Sequence, residues 1–136
     1  MNISSTFHSP ETLADAEAIY RESKHPIYLS GGQEVVLRLG HELEHISDLI
    51  DLSNIDELHG VHAEGSTLSI GAGEKHAAIA GSAVVAHKAP VLGELASNIG
   101  DSQTRNRGTI GGAIASKTRS SDWNAALLAL RSEEHT

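Results

Sequence analysis

The sequence predicts an α+β fold built from two small α/β lobes. Patterns typical of helices and of short strands are both present along the chain, and no internal repeat interrupts them. Glycine-rich turns occur at residues 31–32 and again within residues 100–112, so each lobe would contribute one turn. A length of 136 residues with 39% hydrophobic residues fits one small domain.

The first helix is predicted from Pro10 to about Ser23, with apolar residues recurring at helical spacing from Leu13 to Tyr20. Ser9 is expected to cap it, with Pro10 at the first helical position. A short strand follows at residues 27–29 and runs into the first glycine turn. A short helix or coil is then expected to end at Gly40, and a second strand is predicted at residues 46–52.

The second half of the chain is expected to begin with an antiparallel hairpin around Gly65, because apolar and polar residues alternate on both sides of it. The remaining expected elements are helices at residues 74–80 and 90–97, a polar glycine-punctuated tract at 100–112, and a final apolar helix at 124–130. Glycine turns from distant parts of the sequence suit a long anionic ligand, since their bare backbone N–H groups can approach phosphate oxygens closely.

Composition excludes several classes of function. The formal net charge of −8 and the lack of a basic cluster argue against nucleic acid as a partner. No stretch approaches the roughly 18 apolar residues of a membrane span, and the N-terminus lacks the features of a signal peptide, so a cytoplasmic location is expected. The chain contains no cysteine, which excludes disulfides and thiolate ligation of zinc or iron–sulfur clusters by these residues.

Aromatic residues are scarce, with one Phe, two Tyr and one Trp. The core must therefore be built mainly from aliphatic side chains, which bury little area per residue in a domain of this size. Either the fold is very regular or it depends on parts that lie outside this sequence.

The most literal motif is H-E-x-x-H, formed by His41, Glu42 and His45. On a helix, the two imidazoles could bind zinc and Glu42 could act as a general base, which leaves a zinc peptidase as an alternative function. Its context is poor, because Glu44 places a second carboxylate between the ligands and strand character begins soon after His45. A solvated acidic surface segment is the simpler interpretation, and no metal site is expected.

A second partial motif is Gly71-Ala72-Gly73, which follows an expected strand and begins like a dinucleotide-binding fingerprint. His76 stands at the position of the third glycine, and no βαβ unit with a ribose-binding carboxylate follows. This segment is interpreted as a strand end followed by a helix start at Glu74.

Two tracts remain, residues 29–34 and residues 99–112. Together with residues 50–52, 68–72 and 125–130, they make the chain resemble the FAD-binding domain of molybdenum hydroxylase flavoproteins. This domain has the PCMH-type FAD-binding fold and occurs in the medium, FAD-carrying subunits of the carbon-monoxide dehydrogenase and xanthine dehydrogenase type. The block from Arg105 through Gly112, Arg-Asn-Arg-Gly-Thr-Ile-Gly-Gly, is the most specific part of the resemblance.

The resemblance implies that these residues bind FAD and that none of them is a proton-transfer catalyst, since the flavin performs the chemistry. The first turn would wrap the diphosphate with main-chain N–H groups, the second would hold its other side and the flavin, and Asp122 would contact cofactor hydroxyls. The implied cofactor-binding residues are Leu29, Ser30, Gly31, Gly32, Gln33, Glu34, Val35, Ile99, Asn106, Thr109, Ile110, Gly111, Gly112 and Asp122.

The resemblance also implies two partners: a large molybdopterin-binding subunit, and a small 2Fe–2S subunit through which electrons would reach the flavin and then NAD or another acceptor. A cofactor-free interaction domain that has kept a flavoprotein shape is a further alternative. The last six residues, 131–136, resemble the translation of a sequencing-adapter oligonucleotide. Residues 1–130 are therefore expected to be the N-terminal part of a C-terminally incomplete FAD-binding domain, followed by a non-native tail.

Overall fold

A parallel three-stranded sheet and an antiparallel hairpin organise the chain, which a computed structural model describes over residues 5–31, 45–116 and 122–133. The strands in these ranges are β1 (Thr6–His8), β2 (Pro26–Leu29), β3 (Asp48–Asp51), β4 (Val61–Glu64) and β5 (Thr67–Ile70). The α-helices there are α1 (Leu13–Glu22), α2 (His76–Ala80), α3 (Ala83–Lys88), α4 (Pro90–Ser97), α5 (Ser102–Arg107), α6 (Ile110–Ser116) and α7 (Asp122–Ala129), with one 3-10 turn at Asp56–Leu58. This mixture of helices and strands confirms the α+β class.

The first lobe is the parallel sheet, in the order β1-β3-β2, with α1 packed on β3. Side chains on a strand alternate between the two faces, so Ile50 of the central strand faces opposite to its neighbour Leu49. Ile50 is fully buried with Ala16 of α1 and with Ile55 beyond the strand. Pro26 begins β2 at an edge of the described sheet, where a residue without an N–H is tolerated.

The second lobe contains the β4–β5 hairpin and helices α2 to α7. Its hydrophobic cluster is separate from that of the first lobe, in agreement with the predicted pair of lobes, and its buried members are Ile79, Val85, Leu92, Ala96, Ile110 and Trp123. The predicted hairpin around Gly65 and the predicted helix over residues 90–97 are both confirmed. Within the described ranges, no helix has the length and apolar character needed to cross a bilayer.

The predicted cap of α1 is wrong. Thr12, rather than Ser9, caps the helix: its extended backbone precedes Leu13, and its hydroxyl accepts from the Asp15 N–H at 3.1 Å. Ser9 instead accepts a hydrogen bond from the side chain of Asn54, and Pro10 lies buried before the helix begins. A Thr immediately before the first apolar helical residue is the better placed acceptor, because a cap serves only the next two or three N–H groups.

The tract at residues 100–112, predicted as a polar glycine-rich turn, contains helix α5 and the first residues of α6. Asp101 caps α5 by accepting from the Thr104 N–H at 2.8 Å, and this hydrogen bond is the main reason that the pKa of Asp101 is lowered. Arg105 then donates to the carbonyls of Ile99 and Gly100, which ties α5 to the end of α4. Strand β1 and helix α3 were also not predicted, because elements of three and six residues carry too little periodicity.

Three of the four aromatic side chains contribute little to the core. Phe7 is 60% exposed, and Tyr20 stacks on Tyr28 at the surface with ring centroids 4.7 Å apart. Only Trp123 is buried, at 1% exposure. The scarcity of aromatic residues seen in the sequence is therefore even more pronounced in the core.

The C-terminal end of α7 suggests a stabilising substitution. The N–H of Ser132 donates to the Leu127 carbonyl and that of Arg131 to the Leu128 carbonyl, which together form a Schellman motif. Arg131 has φ +56° and is the one described residue other than glycine with a positive φ. Because glycine adopts this conformation without the steric cost of a Cβ, Arg131→Gly is expected to raise the free energy of unfolding by about 1 kcal/mol, measured by urea denaturation.

Arg131→Ala is the control for this prediction. It removes the charge but keeps the Cβ in the left-handed conformation, so it should change the stability little. An equal gain in both variants would assign the effect to the charge of Arg131 instead of its backbone.

Candidate functional site

The two glycine turns meet in the folded chain. Ser30 follows β2, and its hydroxyl lies 2.8 Å from the hydroxyl of Thr109, 79 residues away in the sequence. Gly31 adopts φ +76°, and a Cβ added to it would collide with the carbonyl oxygen of Arg107. The first turn is thus packed against the backbone that leads into the second turn, and only glycine permits this approach.

A third segment, residues 72–76, supports the second turn through its backbone. The Ile110 N–H donates to the Glu74 carbonyl at 3.0 Å, and the His76 N–H donates to the Gly108 carbonyl at 3.1 Å. These two bonds form an isolated antiparallel bridge between Lys75 and Thr109. We call residues 72–76 the brace, because they hold residues 108–111 in position.

The brace also explains why residue 111 is glycine. The Gly111 N–H donates to the Ala72 carbonyl at 2.9 Å, and a Cβ on Gly111 would lie 2.7 Å from that oxygen and 2.8 Å from the Ala72 Cβ. Gly112 is less constrained, with the nearest atoms at 3.1 Å. Sequence reasoning interpreted Gly71-Ala72-Gly73 as a strand end and missed that Ala72 contacts the second turn.

Most backbone N–H groups of the second turn already have acceptors. Ile110 and Gly111 donate to the brace, and Gly112 donates to the Thr109 hydroxyl at 3.1 Å. Thr109 differs, since no acceptor for its backbone N–H is found among the described residues. It is therefore the donor in this part of the turn that a bound anion could use without breaking an existing hydrogen bond.

The hydroxyl of Thr109 joins the two turns. The residue is buried, with 5% of its surface exposed. Thr109→Val keeps the shape of the side chain but leaves the Gly112 N–H and the Ser30 hydroxyl without this partner. We expect a loss of about 2 kcal/mol in the free energy of unfolding, measured by urea denaturation.

Thr109→Ser and Thr67→Val are the matched variants for this prediction. Serine retains the hydroxyl and should restore most of the lost stability. Thr67 is exposed on β5, so its replacement by valine should change the stability by less than about 0.5 kcal/mol. A Thr109→Val protein as stable as Thr67→Val would contradict the proposed role of the hydroxyl.

The other predicted site residues within the described ranges are not joined to this cluster by hydrogen bonds. Leu29 ends β2, where its carbonyl accepts from the Leu52 N–H. Ile99 is half-buried against the second hydrophobic cluster. Asn106 on α5 and Asp122 at the start of α7 are exposed. Their assignment to the cofactor stays a prediction.

Several predicted residues lie outside the described part of the chain. These are Gly32, Gln33, Glu34 and Val35 of the first turn, and His41 and Glu42 of the H-E-x-x-H motif. His45 is described and exposed. Within the described ranges, no group of three or more His, Asp or Glu side chains is arranged to hold a metal ion.

A buried polar pair adjacent to the second turn was missed by sequence reasoning. His76, at 4% exposure, accepts a hydrogen bond at Nδ1 from the indole N–H of Trp123 at 3.2 Å. Burial lowers the pKa of His76, which favours the neutral imidazole. A single His at the start of a helix carries no sequence pattern that announces such a contact.

Comparison with known proteins gives a consistent result. Residues 2–135 match the family model described as the FAD binding domain in molybdopterin dehydrogenase. The chain is 36% identical over 110 residues to the carbon monoxide dehydrogenase medium chain of Hydrogenophaga pseudoflava, covering 80% of this chain and 38% of that protein. It is 31% identical over 124 residues to the nicotine 6-hydroxylase medium subunit of Paenarthrobacter nicotinovorans, covering 91% and 44%.

Solved structures agree with these relatives. The carbon monoxide dehydrogenase from Hydrogenophaga pseudoflava that lacks the Mo-pyranopterin moiety superposes with a TM-score of 0.85 at 34% identity, covering 90% of this chain and 43% of that one. Quinoline 2-oxidoreductase from Pseudomonas putida 86 superposes with a TM-score of 0.76 at 27% identity, covering 82% of this chain and 39% of that one. The chain thus spans about two fifths of the length of the proteins it matches.

Proposed function

This chain belongs to the family of FAD-binding domains of molybdopterin dehydrogenases, and from that premise we propose that it binds FAD at the junction of its two glycine turns. FAD is the cofactor of this family. The observation that carries the assignment to this junction is the contact between Ser30 and Thr109, because it joins two sequence-distant turns into one surface.

The residues at the junction fit a diphosphate. Gly31 and Gly111 let the segments of the junction pack closely on one another, and the Thr109 N–H has no acceptor among the described residues. Phosphate oxygens accept from such main-chain N–H groups, and their charge needs several donors. We assign Ser30, Gly31 and Thr109 to the diphosphate, with Gly32 to Val35 completing the first turn.

The chain's own residues supply position and electrostatics instead of acid–base chemistry. The brace holds the second turn through three backbone hydrogen bonds, so the turn is organised before a ligand arrives. FAD, when bound, supplies the capacity to accept and release electrons.

For the whole protein, we propose an FAD subunit of a molybdenum hydroxylase that passes electrons from iron–sulfur clusters to NAD or another acceptor. Its partners would be a large molybdopterin-binding subunit and a small 2Fe–2S subunit. Support comes from two relatives that are named as a medium chain and a medium subunit. The lack of cysteine in these 136 residues also agrees with clusters that are bound elsewhere.

The test is flavin absorbance of the native-length subunit and of two variants, Gly31→Asp and Gly111→Asp. Each variant puts a carboxylate and a Cβ where the backbone is closely packed, so both are expected to lose the flavin. Gly65→Asp is the control. Gly65 has a positive φ, as Gly31 does, but no atom lies within 4 Å of a Cβ added to it. Full flavin retention in both site variants would contradict the assignment.

The 136-residue chain gives a second test. We expect it to retain FAD weakly or not at all, because the relatives are more than twice as long and could complete the pocket with later residues. A 136-residue product purified with stoichiometric flavin would contradict this expectation. A colourless native-length protein in its assembled complex would favour the cofactor-free interaction domain instead.

A further inference from the structure

The imidazole of His76 lies next to Gly108 in the second glycine turn. A Cβ added to Gly108 would be 3.0 Å from both Cδ2 and Nε2 of the ring, so the outer edge of the imidazole fills the space beside this glycine. Gly108 has φ −67°, which any residue can adopt. Residue 108 is therefore restricted by the His76 ring and not by its own backbone conformation.

The same imidazole is held from its other side by Trp123. An indole N–H can only donate, so Nδ1 of His76 must be unprotonated and the ring proton must be on Nε2. The two ring planes are inclined by 21° with centroids 5.8 Å apart. One hydrogen bond and one ring contact thus define both the tautomer and the orientation of the imidazole.

The backbone and the ring of His76 both contact Gly108. Its N–H donates to the Gly108 carbonyl, while the ring edge occupies the space beside the Gly108 Cα. Thr109, whose hydroxyl contacts Ser30 at the junction of the two turns, follows immediately. A displacement of the imidazole would therefore move the donor that we assign to the diphosphate.

We propose that His76 is a positioning residue for the FAD site: oriented by Trp123 of α7, it holds the Gly108–Thr109 peptide in the conformation that receives the cofactor. The proposal rests on the proposed function for the identity of the ligand. It couples α7, which is distant in sequence from the first turn, to the geometry of the diphosphate donors.

His76→Asn separates the two contacts of the ring. The asparagine amide oxygen can take the place of Nδ1 as an acceptor for Trp123, but the outer ring edge against Gly108 is lost. Ile79→Val is the matched control, since Ile79 is fully buried in the same helix as His76 and in the same hydrophobic cluster as Trp123. It removes one buried methylene without touching Gly108.

The first readout needs no cofactor and uses the 136-residue chain. Hydrogen exchange of the Ile110 amide, which donates to Glu74 in the brace, should become about tenfold faster in His76→Asn, relative to the best-protected amides of the core. Ile79→Val should leave this ratio unchanged. The ¹⁵N shifts of the His76 imidazole in the unmodified chain should report a proton on Nε2.

The second readout is the affinity of the native-length subunit for FAD, measured by flavin fluorescence. We expect about tenfold weaker binding in His76→Asn and a change within about twofold in Ile79→Val. Trp123→Phe, which keeps a large aromatic ring and removes only the N–H donor, should weaken binding about threefold. This variant keeps the proposal testable if His76→Asn does not fold.

Two results would overturn the proposal. One is an equal effect of His76→Asn and Ile79→Val on both Ile110 exchange and FAD affinity, which would make His76 an ordinary core residue. The other is an imidazole protonated on Nδ1 in the unmodified chain. If the native-length subunit binds no FAD, the proposed function fails, while the exchange and ¹⁵N measurements still decide whether His76 positions the turn.

Discussion

Gly31→Ala is expected to disrupt the junction of the two turns more than alanine at any other described glycine. The new Cβ would collide with the Arg107 carbonyl oxygen, and the left-handed φ of +76° adds a cost of its own. Because the colliding atom belongs to the backbone, it cannot rotate away, and residues 107–109 must shift. We expect a loss of about 3 kcal/mol in the free energy of unfolding.

Cofactor affinity should fall together with stability in this variant. A shift of the 107–109 backbone moves the Thr109 N–H, so we expect FAD to bind about a hundredfold more weakly, which corresponds to about 2.7 kcal/mol of binding free energy. Urea denaturation and FAD titration of the native-length subunit measure the two effects separately.

Gly65→Ala is the control for the collision. Gly65 also has a positive φ, +59°, but an added Cβ would meet no atom within 4 Å. This variant should lose about 1 kcal/mol in the free energy of unfolding, the cost of placing a Cβ in the left-handed conformation. It should bind FAD with unchanged affinity. If the two alanine variants lost the same stability, the predicted collision at Gly31 would be absent in solution.

Gly111→Ala is the second substitution with a large expected effect. Its Cβ would lie 2.7 Å from the Ala72 carbonyl oxygen, the same oxygen that accepts the Gly111 N–H. The brace must therefore move away from α6 and lose that hydrogen bond. The cost of overpacking, reduced by the better helix propensity of alanine, leaves a net loss of about 1–2 kcal/mol and about tenfold in FAD affinity.

Gly93→Ala is the control for this prediction, because its effect on stability is expected to have the opposite sign. Gly93 lies inside α4, and the nearest atom to an added Cβ is 3.7 Å away, an ordinary van der Waals contact. Here alanine should stabilise the protein by about 0.5–1 kcal/mol. Thermal or urea denaturation of both variants checks the prediction, and a gain of stability in Gly111→Ala would refute the packing of the brace.

The parts of the fold that could be predicted from sequence are those whose information is local. The hairpin around Gly65 and the helix from Pro90 to Ser97 each carry their own pattern of alternation, turn residue or N-terminal proline. The glycine turns could be identified for the same reason, since their residue types and spacing lie within short segments.

The parts that were missed depend on few residues or on distant ones. Helix α5 has six residues, and its capping Asp101 could have indicated its start, but the polar composition of the tract concealed it. The cap of α1 was placed at Ser9 instead of Thr12, because both residue types are good caps and only the fold decides which of them precedes the helix.

The sequence by itself therefore determined the α+β class, the residues of the two glycine turns and the family to which the chain belongs. Only the tertiary structure decided which groups these turns contact: Ser30 with Thr109, Gly31 with Arg107, and the brace with the second turn. The hydrogen bond between Trp123 and His76, which are 47 residues apart, was likewise decided only by the tertiary structure. The physical reason is that a backbone preference is a property of a few neighbouring residues, whereas a close contact requires two distant segments to be packed against a common core.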